Sequence, residues 1–132
     1  MITLDLAQQL RAAGLAWAPA AGDRFIVPDR DMDDEIFVLS DMTVEVREHP
    51  GGRIIGFNGT TEWALDSIEQ QDVVWLPRED QLRELLGSAF VRLESVPGGF
   101  AVVCDERGNQ HRYIDIDAER AYARSLLSAL RA

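Results

Sequence analysis

The chain has 132 residues and a formal net charge of −10, with 46% hydrophobic and 27% charged side chains. That length suits one domain, 1–132, around a single core, and three Trp and five Phe supply enough apolar surface to exclude a disordered chain. The negative charge repels phosphate backbones and anionic lipid heads, which excludes nucleic acid and membrane as partners and leaves basic partners and cations open.

At the start of the chain, Thr3 as N-cap, Leu6 and Leu10 four apart and Gly14 as a stop predict a short amphipathic helix over "TLDLAQQLRAAG". After the loop "APAAGD", the segments "RFIV", "EIFVLS", "TVEVREH" and "RIIGF" are short and rich in β-branched or aromatic residues, as four strands would be. Val44 and Val46 alternate with Thr43, Glu45 and Arg47, the pattern of a sheet with one wet face. "HPGG" at 49–52 then reads as a tight hairpin turn.

"NGTTEWALDSIEQQD" combines a turn signal, Thr caps and Leu65 with Ile68 three apart, which predicts a helix from about Thr61 to Gln71. "VVWL" is expected as a strand. Pro77 suits the first turn of a helix over "REDQLRELL", with Leu82, Leu85 and Leu86 on one face and Gly87 at its end. "AFVRLESV", "FAVVC" and "HRYID" read as three strands joined by "PGG" and "DERGN" turns. Asp117 caps a last helix, "AERAYARSLLSALRA", with Ala118, Tyr122, Leu126 and Leu130 toward the core. The order α-β4-α-β-α-β3-α groups the strands in hairpin-connected sets, so the expected fold is α+β, single-domain, with a mainly antiparallel sheet.

Chemistry-bearing motifs are scarce. In "PDRDMDDEIFVLSD" the residues Asp29, Asp31 and Asp33 match positions 1, 3 and 5 of a calcium loop of the EF-hand type, but Asp34 replaces the Gly of the sharp turn and Ser40 the bidentate Glu. A solvated acidic turn with no metal is therefore expected, and Asp31, Asp33 and Asp34 are carried as candidate binding residues. "GGRIIGFN" has Gly51 and Gly56 at phosphate-loop spacing, yet Phe57 and Asn58 stand where Lys and Ser or Thr belong. All thirteen basic residues are Arg, which removes Schiff-base chemistry as well. No GxSxG, HExxH, CxxC or GxGxxG occurs. His49 and His111 lie far apart with no Cys nearby, so no zinc set forms. Cys104 reads as a small core residue, and Trp17, Trp63 and Trp75 as core aromatics, Trp63 beside the polar face of its helix. No cofactor is expected.

Charge placement is the remaining signal. Glu62, Asp66 and Glu69 repeat at i, i+4 and i+7 on the helix expected over 61–71, and Arg120, Arg124 and Arg131 form an opposite stripe on the last helix. Like charges so spaced are mutually destabilising, which points to an electrostatic contact within the fold or between copies. Glu62, Trp63, Asp66 and Glu69 are thus binding candidates, and the three arginines interface candidates. The amino-terminal "MITLDLAQQL" lacks the positive and long apolar regions of a secretion signal, so a cytoplasmic protein is expected.

Over "GDRFIVPDRDMDDEIFVLSDMTVEV", "GFNGTTEWALDSIEQQDVVWLPREDQLRELLG" and "DAERAYARSLLSAL" the chain resembles a group of short bacterial proteins, many carrying the name pilus assembly protein CpaE. The resemblance covers nearly the whole length and implies a family rather than a function; an accessory role in pilus assembly, as the family label suggests, is one alternative. The longer ATPases of that name use a phosphate-loop lysine that this chain cannot supply, so no functional residue is carried over. Together these observations lead to the expectation of a non-catalytic protein-interaction module that binds a protein partner or a second copy as a homodimer. The alternative is a small-molecule-binding domain or an enzyme without a recognisable motif.

Overall fold

A computed structural model describes residues 1–28, 35–39, 45–49, 52–56, 67–69 and 72–132, with the backbone alone at 45–49, 52–56 and 67–69. The fold is α+β, and every described strand pairing is antiparallel. The chain divides into two compact units: Met1–Ala16 with Pro77–Ala132, called here the helix–sheet unit, and Trp17–Leu76, the strand unit.

The helix–sheet unit begins with α1 (Leu4–Ala12), where Thr3 Oγ1 accepts the Leu6 amide at 3.1 Å. Gly14, at φ +105°, ends it. The Gly14 and Leu15 amides donate back to Arg11 and Leu10, a Schellman closure that satisfies the last carbonyls. α2 (Glu79–Leu86) is entered through Arg78, whose amide donates to the Gln81 side chain at 2.9 Å, so Pro77 precedes the cap rather than opening the helix. Leu82 and Leu86 are buried one turn apart, whereas Leu85, expected on the same face, is exposed.

Three strands follow: β7 (Phe90–Val96), β8 (Gly99–Glu106) and β9 (Asn109–Asp115), with β8 central. The β8–β9 turn places Arg107 and Gly108 both at positive φ, the type I′ geometry matched to strand twist, and Asp105 accepts the Gly108 amide at 2.8 Å. Asp117 then accepts the Arg120 amide and starts α3 (Ala118–Arg131). α3 packs on α1, α2, β8 and β9. Its buried face runs Ala121, Tyr122, Ala123, Ser125, Leu126 and Leu127, centred as expected on Tyr122 and Leu126, while Ala118 and Leu130 are half-buried at the ends. Against it lie Val102 and Cys104 of β8, both buried, while Ala101 and Val103 between them are buried on the opposite face.

The strand unit holds two three-stranded sheets. In one, β1 (Arg24–Ile26) lies between β2 (Phe37–Val38) and β6 (Val74–Leu76); in the other, β4 (Gly52–Gly56) lies between β3 (Glu45–His49) and β5 (Ser67–Glu69). His49 pairs with Gly52, the register a hairpin over "HPGG" requires, residues 50 and 51 themselves lying outside the described set.

The helix expected over 61–71 is corrected at its carboxyl end. Ser67–Glu69 is a strand, with Ile68 opposite Ile55 and Glu69 opposite Ile54. Two apolar residues three apart specify a helix weakly, and backbone pairing along β4 outweighs so small a propensity. The element order therefore runs α, six strands, α, three strands, α across the described residues.

The core of the strand unit is aromatic. Phe37, Phe25 and Trp75 form one row across β2, β1 and β6, and Trp17 lies over it, 6.0 Å from Phe25 and stacked 6.3 Å from Trp75. Val27, Leu39 and Val73 close the cluster. Buried Asp23 organises the adjoining loop: its Oδ2 accepts the Trp17 indole N–H at 2.9 Å and the Ala20 amide at 3.0 Å, and its carbonyl accepts the Leu39 amide.

Candidate functional site

The β7–β8–β9 sheet has two unlike faces. Cys104 bonds Ser125 of α3, and Phe90, opposite Cys104, contacts the ring of Tyr122, so this side of the sheet carries the helix. Side chains alternate along a strand. Leu93 and Val102 therefore share the helix-bearing face, and Arg92, Glu94, Ala101, Val103, Arg112 and Ile114 share the other.

On that outer face an ion triad spans the sheet. Arg92 Nε lies 2.6 Å from Glu94 Oε1, and Arg112 Nη2 reaches Glu94 Oε2 from β9 at 3.2 Å. The Arg92 guanidinium beside Glu94 holds its carboxyl below the usual range, and Arg112 adds to the effect. The Arg112–Glu94 pair thus bridges β8, whose Ala101 and Val103 on this face are fully buried. Next to the triad Ile114 stands 58% exposed, and beyond it Ile116 is 74% exposed.

The helix-bearing face has three further polar clusters. Asp115 at the end of β9 accepts Arg120 Nε at 2.9 Å and Arg124 Nε at 2.8 Å, one oxygen to each. Burial pushes its carboxyl up, but the Asp117 amide and the two guanidinium groups outweigh this and leave it below the ordinary range. The Tyr113 hydroxyl lies between Glu106 and Ser128 Oγ, the latter at 2.9 Å, with His111 Nε2 3.7 Å from Glu106. Burial, then the bond to Glu106, raises the phenol. Cys104 Sγ lies 2.6 Å from Ser125 Oγ, and burial pushes the thiol up, so it stays protonated and inert at neutral pH. Among the described residues no group of three or more His, Cys, Asp or Glu is placed to hold a metal ion, and no helix is long and apolar enough to cross a membrane.

Asp31, Asp33, Asp34, Glu62, Trp63 and Asp66 lie outside the described residues. Glu69 lies in β5, so Glu62, Asp66 and Glu69 do not share the face of one continuous helix. Arg120 and Arg124 meet Asp115 of their own chain, and Arg131 Nη2 bonds Gln9 Oε1 of α1 at 3.4 Å. The electrostatic contact of this stripe thus includes one within the fold. Asp115, Arg92, Glu94 and Arg112 were not singled out by sequence reasoning. The alternation of Arg92, Leu93 and Glu94 along one strand was the available signal for two of them.

No known protein family, curated protein or solved structure matches the chain.

Proposed function

We propose that this chain is a non-catalytic protein-interaction module whose contact surface is the outer face of the β7–β8–β9 sheet. The observation that carries this reading is the exposure of Ile114 and Ile116, at 58% and 74%, beside the Arg92–Glu94–Arg112 triad. Aliphatic side chains so exposed next to guanidinium groups suit a protein partner with an apolar patch and acidic flanks. Elsewhere in the unit Asp115 and Cys104 are engaged internally, which supports binding over catalysis. The test is recovery of the tagged full chain from its native host. A protein retained by the wild type and lost with Ile114→Glu and Ile116→Glu is expected. A retained metabolite, or capture indifferent to both substitutions, overturns the reading.

A small-molecule-binding domain is the second reading. It is favoured by the aromatic row of the strand unit, where the buried Trp75 indole nitrogen has no acceptor among the described residues. Saturable quenching of tryptophan fluorescence by a retained metabolite supports it. The resemblance to the proteins named CpaE adds an accessory role in pilus assembly as the cellular setting for either reading.

A further inference from the structure

We propose that two copies of this chain pair edge to edge through β7, about a two-fold axis at Leu93, joining their three-stranded sheets into one antiparallel sheet. This goes beyond the partner surface at Ile114, because it uses the opposite edge of the sheet.

β7 is seven residues long and, among the described residues, has β8 as its one neighbour in the sheet; Val91 is 39% and Leu93 36% exposed. A two-residue loop, Pro97 and Gly98, sets Val96 directly opposite Gly99. The closing pair of such a hairpin exchanges both backbone bonds, and bonded and non-bonded pairs alternate down the ladder. Val96, Glu94 and Arg92 therefore direct their backbone groups to β8, while Leu93 and Ser95 direct theirs outward. An outward row of this kind is a template for another strand.

The side chains select which strand. Arg92 and Glu94 flank Leu93 and share the outer face. In an antiparallel pairing centred on Leu93, Arg92 of each copy faces Glu94 of the other and Leu93 meets Leu93, the regular ladder ending at Arg92 because the register shifts between Phe90 and Arg92. Opposite charges directly across an antiparallel pair stabilise it and like charges oppose it, and two-fold symmetry forms each favourable pair twice. A slip of two residues either way sets Arg92 against Arg92 or Glu94 against Glu94. A slip of one sets outward backbone groups against groups already bonded to β8. One register survives, and it is self-complementary. Charges on an edge strand ordinarily keep other strands away; their alternating sign here rejects unmatched strands and admits a second copy.

Sedimentation of the full chain tests this with two charge reversals. The wild type is expected to be dimeric. Arg92→Glu and Glu94→Arg each place like charges opposite one another twice and are each expected to lose the dimer, with far-UV circular dichroism unchanged. Mixed in equal amounts, the two variants are complementary across the axis, and the dimer is expected to return as a heterodimer. A monomeric wild type, a dimer indifferent to both reversals, or variants that stay monomeric when mixed would overturn the proposal. Capture through Ile114 is read in a separate experiment, so either proposal can fail while the other stands.

Discussion

The two units arrange their polar contacts in different ways. In the helix–sheet unit, polar contacts are distributed: Asp115 with two arginines, Tyr113 with Glu106 and Ser128, and Glu94 with Arg92 and Arg112, around an aliphatic core that Tyr122 completes. Among the described residues of the strand unit, two donors converge on one buried carboxylate, Asp23, which accepts an indole and a loop amide beside an aromatic row. That convergence makes one residue decisive.

The sharpest way to break that contrast is at Asp23. Asp23→Ala leaves the Trp17 indole N–H and the Ala20 amide without their acceptor in a buried site, and a loss of about 3 kcal/mol is expected from stranded buried donors. Every Trp in the sequence lies within residues 17–76, so urea unfolding followed by tryptophan fluorescence reads the strand unit. A loss much below 1 kcal/mol would mean that Asp23 is not decisive.

In the helix–sheet unit the largest single effect is expected from Gly99→Ala, where an added Cβ meets the Asp115 carbonyl and the Ile116 Cα at the end of β9. Because the obstruction is backbone, a strand must move, and about 2 kcal/mol is expected from overpacking. Tyr113 and Tyr122 both lie in this unit, so tyrosine absorbance follows its thermal unfolding.

A smaller, pH-dependent effect belongs to Asp115. Its folded-state pKa is depressed, so it contributes stability that is present above the unfolded value of about 3.9 and lost as pH falls through the folded one. Asp115→Asn is therefore expected to flatten the acid limb of a melting temperature against pH curve below about pH 4. An unchanged limb would show that the arginine clamp does not hold the carboxylate.

The same contrast governs what the sequence reveals. Much of the helix–sheet unit was legible because its signals are local: the Thr3 and Asp117 caps, the "PGG" and "DERGN" turns, and the continuous apolar run of β8. In the strand unit the described strands are two to five residues long. For Ser67–Glu69 local propensity pointed to helix, whereas pairing with β4 decides. The arginine stripe on α3 was visible, but its partner was not: Asp115 precedes Arg120 by five residues and Arg124 by nine, and only the turn between β9 and α3 brings them together. The β7 edge escaped notice for a similar reason, since strand order is needed before Arg92 and Glu94 stand at a border.

Concentration-dependent amide hydrogen exchange tests the central claim, a sheet edge reserved for a second copy, at the residues that matter. The Leu93 and Ser95 amides are expected to be protected in concentrated solution and to exchange freely on dilution, while the outward amides of Arg112 and Ile114 on β9 exchange alike at both concentrations. Equal exchange at Leu93 across the dilution series, or protection that appears at β9 instead, would contradict it.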